Sequence, residues 1–309
     1  MILCCGEALI DMIPAVSDHG KKGFVPHAGG AVFNTAIALG RLGIDTAFLT
    51  GLSRDLFGHQ LEQSLVESRV DSSLAIRSDL PTTLAFVELN EGQARYTFYD
   101  ENTAGCSLTP EQLPDIPKKT TALYFGGISL ISEPCADFYA ALAVREATDN
   151  LIFMDPNVRA AFIRAEKPYR ARLEKMLAVA NIVKVSDEDL DWIKPGPENL
   201  EEKAQVLCAQ GPQIVIVTRG AEGANAFFAN GEKIAVPAQR VPIVDTVGAG
   251  DTFNAGVIAK LAEKNLLSKK ELKQIDTAAM DDALRHGAAV AAVTVSRAGA
   301  NPPWAHELP

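Results

Sequence analysis

The residues best suited to chemistry stand together in Gly248-Ala249-Gly250-Asp251, preceded by Val244-Asp245-Thr246-Val247 and followed by a helix-compatible stretch from Thr252 to Leu261. An extended run that breaks into a glycine turn and then a helix leaves N–H groups without internal partners at the positive end of the helix dipole. Gly248, Ala249 and Gly250 can therefore surround a phosphoryl group in transfer. Asp251, one residue on, faces the same spot and can take a proton from an attacking hydroxyl while the amides stabilise the growing negative charge. A plainer reading of the same residues has the glycines shaping a tight turn and Asp251 capping the helix.

Other groups can complete such a site. Gly29 and Gly30 allow close backbone approach to a polyol, and the Asn34 amide can donate to hydroxyls and accept from them. Asp11 follows the first apolar run, and a carboxylate there can accept from two vicinal hydroxyls. In Asp155-Pro156-Asn157-Val158-Arg159, Arg159 offers a fixed, always charged fork to phosphates. In Lys184-Val185-Ser186-Asp187-Glu188-Asp189, Asp187, Glu188 and Asp189 gather carboxylate oxygens of the kind a hydrated hard cation can use. A capped helix start with Ser186 as the cap accounts for the same acids equally well. The chain has no G-x-x-x-x-G-K-[ST] loop, and Gly248-Ala249-Gly250-Asp251-Thr252-Phe253 lacks the last glycine of G-x-G-x-x-G.

These residues need elements to hold them. Continuous apolar runs recur at Ile2–Cys5, Thr46–Leu49, Ala122–Phe125, Leu151–Met154, Ile182–Val185 and Ile214–Val217. Such runs suit strands covered on both faces. Stretches of helical spacing lie between them, Phe33, Ile37, Gly40 and Ile44 among them. This alternation predicts an α/β fold with a mainly parallel sheet whose site gathers at the carboxyl ends of strands. Two regions interrupt it, about 11–27 and 79–103. In the second, two β-rich runs flank Glu91-Gly92, which reads as a hairpin turn. The expectation is a small sheet that projects from the main body and covers a ligand. A further two-residue turn is expected at Asn230-Gly231.

The 309 residues are 47% hydrophobic and carry a formal charge of -10, which opposes nucleic-acid partners. No apolar stretch approaches the length of a membrane span, and Glu7 and Asp11 stand where a signal peptide needs a basic start. A soluble cytoplasmic protein is expected. Cys4, Cys5, Cys106, Cys135 and Cys208 form no C-x-x-C pair and read as small buried hydrophobes. The five histidines show no metal or triad spacing and read as structural.

Asp245-Thr-Val-Gly-Ala-Gly-Asp251 resembles the C-terminal signature D-T-x-G-A-G-D of the PfkB (ribokinase-like) carbohydrate kinases. Ala28-Gly29-Gly30-Ala31-Val32-Phe33-Asn34-Thr35, with Gly43 downstream, resembles their N-terminal signature. The likeness runs in family order from Gly6 to Gly299. It implies a three-layer α/β/α fold over 1–309 with a β lid, and transfer of the ATP γ-phosphoryl to a sugar with Asp251 as base. It further implies a sugar held by Asp11, Gly29, Gly30 and Asn34. Thr218, Gly220 and Gly223 look like the nucleotide-side loop, and Lys184 lies beside a segment associated with the magnesium shell, where Ser186 and Asp189 replace the family's Asn and Glu. Asp245, with carbonyls near Gly299, matches a potassium site of many members, and related kinases pair as homodimers through their lids. Gly6-Glu7, Tyr96 to Tyr99 with Phe98 on the sugar, and Asp155 to Arg159 with Asn157 look closest to the fructokinase branch. Ribose, 2-keto-3-deoxygluconate and nucleosides are the other acceptors implied, and a non-catalytic sensor on this fold is the reading from another class.

Overall fold

A computed structural model describes residues 1–17, 19–90 and 93–308. Its strands are β1 (Ile2–Cys5), β2 (Leu9–Val16), β3 (Lys22–Gly29), β4 (Thr46–Leu49), β5 (Gly51–Ser53), β6 (Val70–Asp71), β7 (Ile76–Ser78), β8 (Leu84–Asn90), β9 (Gln93–Tyr99), β10 (Ala122–Gly126), β11 (Leu151–Asp155), β12 (Ile182–Ser186), β13 (Ile214–Thr218), β14 (Ala224–Phe228) and β15 (Lys233–Val236). The helices are α1 (Ala31–Arg41), α2 (Leu56–Glu67), α3 (Cys135–Glu146), α4 (Glu166–Leu177), α5 (Asp187–Ile193), α6 (Leu200–Cys208), α7 (Ala249–Glu263), α8 (Lys269–Leu272) and α9 (Thr277–Val295). Among the described residues no helix is long and apolar enough to cross a membrane.

The six apolar runs all enter one sheet of order β15-β14-β13-β12-β11-β10-β1-β4-β6, parallel except for β14 and β15 at one edge. Its strands are apolar on both faces because helices cover both. Cys4, Tyr124, Phe153 and Ile216 pack against α1, α2, α7 and α9, while Leu3, Phe125, Met154 and Val217 pack against α3 to α6. This is the three-layer α/β/α arrangement expected. Neighbours of β1 leave in opposite chain directions, to β4 on one side and β10 on the other, and such a switch opens a crevice at the strand ends.

A second sheet of order β3-β2-β8-β9 takes up the two regions that interrupt the alternation. Asp11 is the third residue of β2, because the chain leaves the main sheet at Gly6 and starts pairing again at Leu9. Asp11 pairs with Ala85, which pairs with Phe98, so Asp11 and Phe98 share one face of this sheet. The expected turn at Glu91-Gly92 lies outside the described residues, and β8 and β9 on either side of it pair antiparallel.

The β14–β15 loop differs from the two-residue turn expected at Asn230-Gly231. Phe228 pairs with Glu232 through its N–H, only Gly231 of the two has positive φ (88°), and the Asn230 side chain accepts from Glu232 N–H. Asn230 thus serves through its side chain, and one αL glycine closes a three-residue loop. Cys106 is half-buried, unlike the other four cysteines.

Candidate active site

Two helix N-termini converge at the strand ends. At α7, Gly248 is the left-handed N-cap (φ 77°), and a Cβ there would stand 2.7 Å from Ala300 Cβ, so the turn fits glycine alone. The Ala249 N–H turns to the Thr246 carbonyl (3.3 Å), so of the three expected amides this one is engaged within the turn. Asp251 in the first turn is 9% exposed.

At α1, Gly30 provides the N-cap without a side-chain acceptor. Glu7 supplies it from across the cleft: its Oε1 accepts from Ala31 N–H (2.8 Å) and its Oε2 from Ser129 N–H (3.2 Å). Burial pushes the Glu7 carboxyl up, and these N–H groups oppose the shift. One turn into α1, Asn34 Nδ2 donates to Asp251 Oδ2 (2.9 Å), and Thr35 Oγ1 donates to the Asp251 carbonyl (3.1 Å), which locks the two helix starts together.

Beneath the α7 turn lies a buried charge network. Lys184 Nζ donates to Asp155 Oδ2 (2.9 Å), which also accepts from Asn254 Nδ2 (2.7 Å). A Cβ on Gly250 would stand 3.3 Å from Lys184 Nζ, so the bare glycine brings the ammonium up to the turn. Burial is the largest influence on Asp251 and pushes its carboxyl up to about 7; Asn34 and Lys184 pull it down, and Asp155 and Glu7 push it up.

A cleft of about 380 Å³ joins these groups, lined by Asp11, Asn34, Phe98, Arg159, Lys184 and Asp251 among others. Gly30, Asn157 and the Gly248-Ala249-Gly250 turn also line it. Asp11 stands on the small-sheet side, its carboxyl raised by burial to about 6. Gly29 makes room for it, since a Cβ there would meet Asp11 Oδ2 at 2.2 Å. Phe98 stacks beside Tyr96 (centroids 6.1 Å) and meets Phe162 edge-on (4.7 Å). Arg159 is exposed and reaches the cleft from the loop after β11.

The remaining expected residues line other ground. Thr218, Gly220 and Gly223 lie at the end of β13 and in the 3-10 turn before β14, where Gly223 packs against the Val236 carbonyl. Glu188 is exposed on α5, whereas Asp189 is buried and exchanges bonds with Ser186 in a capping box. Asp245 accepts from Val247 N–H (3.0 Å) and Gly299 N–H (2.9 Å), tying the turn to the C-terminal segment. Among the described residues no three His, Cys, Asp or Glu side chains cluster as a metal site.

As site residues, Glu7 and Asp155 enter the sequence analysis only within the Gly6-Glu7 and Asp155-to-Arg159 segments, with no role of their own, and Asn254 and Phe162 do not enter it. Asn254 had a usable signal, since it stands three residues after Asp251 on one helix face.

The arrangement sets a carboxylate, two helix N-termini and two cations around one cleft whose other wall is polar and aromatic. That suits transfer of an anionic group to a polyol hydroxyl. Residues 1–307 match the model for the pfkB family carbohydrate kinases. Fructokinase from Rhizobium leguminosarum bv. trifolii is 50% identical over 291 residues, 93% of this chain and 86% of that protein. Among solved structures, fructokinase with bound ATP from Xylella fastidiosa superposes with a TM-score of 0.87 at 29% identity, covering 97% of this chain and 93% of that one. A double mutant of fructokinase from Vibrio cholerae O395, in fructose, ADP and potassium ion bound form, superposes at 0.83 with 25% identity over 97% and 93% of the two chains. The order of the two glycine signatures, the three-layer fold and the family match over almost all of the sequence agree, and the chain belongs to the pfkB family of carbohydrate kinases.

Proposed function

We propose that this chain is an ATP-dependent fructokinase that makes D-fructose 6-phosphate, with Asp251 as general base. The observation that carries the proposal is the buried Asp251 carboxylate at the start of α7, in one cleft with Lys184 and Arg159 on one side and Asp11 and Phe98 on the other. The fructokinase relatives support the choice of sugar.

In this reading Asp11, Gly29, Gly30, Asn34 and Phe98 hold the sugar, and the four-stranded sheet acts as a lid on a single ribokinase-like unit. The 6-hydroxyl gives its proton to Asp251 as its oxygen bonds to the γ-phosphorus, and the bond to the ADP oxygen breaks. The Gly248 and Gly250 amides, Lys184 and Arg159 stabilise the charge that builds on the phosphoryl oxygens. Closure of the lid excludes water and limits ATP hydrolysis.

Thr218, Gly220 and Gly223 lie along the neighbouring strand end and support the nucleotide, with Asn157 on the phosphate side. Magnesium bound with ATP would neutralise phosphate charge, and the exposed Asp187 and Glu188 suit its water shell better than Asp189, whose carboxylate caps α5. Asp245, with carbonyls near Gly299, would hold potassium. A homodimer joined through the small sheet fits the exposed Val16, Phe24, Val25 and Tyr99.

The test is a competition of fructose, ribose, glucose, tagatose, 2-keto-3-deoxygluconate and adenosine for ATP turnover. Fructose is expected to show the highest kcat/KM. Another winner removes the fructokinase assignment and leaves the kinase assignment intact, whereas no turnover with any acceptor favours a sensor.

A further inference from the structure

Asp155, the last residue of β11, is 2% exposed and serves two sides of the cleft at once. Its Oδ2 receives Lys184 Nζ (2.9 Å) and Asn254 Nδ2 (2.7 Å), and its Oδ1 receives the Asn157 N–H (3.0 Å). The first contact holds an ammonium below Gly250. The contact through Oδ1 fixes the Asn157 turn, whose backbone lies in the left-handed region (φ 43°) that asparagine adopts more readily than other residues with a side chain. That turn leads directly to Arg159. Asn254 completes the arrangement by bridging Asp155 to the Tyr124 hydroxyl (3.0 Å), which Thr35 also approaches (3.4 Å).

We infer that Asp155 is the positioning residue of the phosphoryl-transfer site, setting Lys184 beneath the α7 turn with one oxygen and the Asn157 turn that presents Arg159 with the other. No neutral residue of this shape can do both. An asparagine has one acceptor oxygen, so it must release either the Lys184 side or the Asn157 side.

The inference rests on Asp251 as base and has its own signature. Around Asp251 stand Glu7 from the loop after β1, Tyr124 of β10, Asp155 of β11, Lys184 of β12 and Tyr96 of β9. Asp11 of β2 and Arg159 complete the charged groups of the cleft. Asp155 raises the Asp251 carboxyl and Lys184 lowers it.

The experiment compares pH profiles of kcat/KM for fructose in Asp155→Asn, Lys184→Gln and the parent, with magnesium and ATP saturating. The acid limb is expected to move to lower pH in Asp155→Asn and to higher pH in Lys184→Gln, each by about half a unit to one unit. The plateau kcat of Asp155→Asn should fall at least about 10-fold, because one of the two cations loses its placement. Limbs that stay put or move the same way, or a parental plateau in Asp155→Asn, overturn the inference. Should a single variant fail to fold with a lone buried charge, the double variant carries the test. A plateau loss of about 100-fold in it supports the inference, and parental kcat overturns it. Asp251→Asn is measured alongside. If that variant keeps parental turnover, the choice of base fails, and the plateau of Asp155→Asn still decides the role of Asp155.

Discussion

Asp251 is a carboxylate placed where ionisation is hard, and that has consequences for rate and stability together. In the proposed mechanism the base must be ionised to accept a proton, and burial raises the Asp251 carboxyl to about 7. The kcat/KM for sugar is therefore expected to fall as pH drops below about 7, although an ordinary Asp would stay active to far lower pH. The folded-state value lies above the unfolded one, so the native state holds the extra proton between them and this group's stabilising contribution is lost as pH rises toward 7. Asp251→Asn removes the charge and keeps an acceptor for Asn34. It should lower kcat by roughly two to four orders of magnitude while melting at or above the parental temperature at pH 8. Near-normal turnover would remove Asp251 from the mechanism. Asp251 and Asn34 were legible in the sequence because glycine turns announce them. Glu7 was not, since its partner Ser129 lies 122 positions away, and Asn254 reaches Asp155 across 99.

The α7 turn is only as well placed as the helix behind it. Gly256 of α7 meets Gly287 of α9 so closely that a Cβ on Gly256 would stand 2.7 Å from Gly287 Cα and 2.9 Å from Val290 Cγ2. Gly256→Val should force the helices apart, costing about 1–3 kcal/mol of stability. The shift carries the Gly248–Asp251 turn with it, so kcat should fall by about 10-fold or more. Urea unfolding and steady-state kinetics on the same preparation check both, and an unchanged kcat would show that the turn is held by Asn34 and Thr35 instead. Helix pairing of this kind is invisible to periodicity, which counts a glycine as neither apolar nor polar. Periodicity did find the doubly covered strands, because Leu151–Met154 or Ile214–Val217 leaves no polar face to expose. It missed β5, β6 and β7, whose two or three residues are too few to show a pattern.

Across the whole molecule the cleft exists because two sheets meet over it, and the meeting itself was not legible. The sequence showed two interruptions in a βα alternation, but no spacing rule says that β9 will lie against the turn after β11. The structure brings them together at Phe98 and Phe162, ring centroids 4.7 Å apart and nearly perpendicular. Phe98 also shares its face with Asp11, so one row across the sheet carries both a carboxylate at the cleft and an aromatic edge against the main body. If the small sheet is a lid, this contact is part of what closure gains. Phe98→Ala removes an edge-on pair worth about 0.5–1.5 kcal/mol beyond the apolar area it covers, for a loss of roughly 2 kcal/mol in all. That corresponds to a fall of about 30-fold in kcat/KM for fructose. On the proposed reading the nucleotide side draws on β12, β13 and α7 rather than on the small sheet, so the KM for ATP should stay within about twofold. Phe98→Leu keeps bulk and should recover part of the loss. Steady-state kinetics with each substrate varied in turn decides the matter: an equal rise in the KM for ATP would mean that the small sheet is a fixed wall shared by both substrates rather than a lid over the sugar.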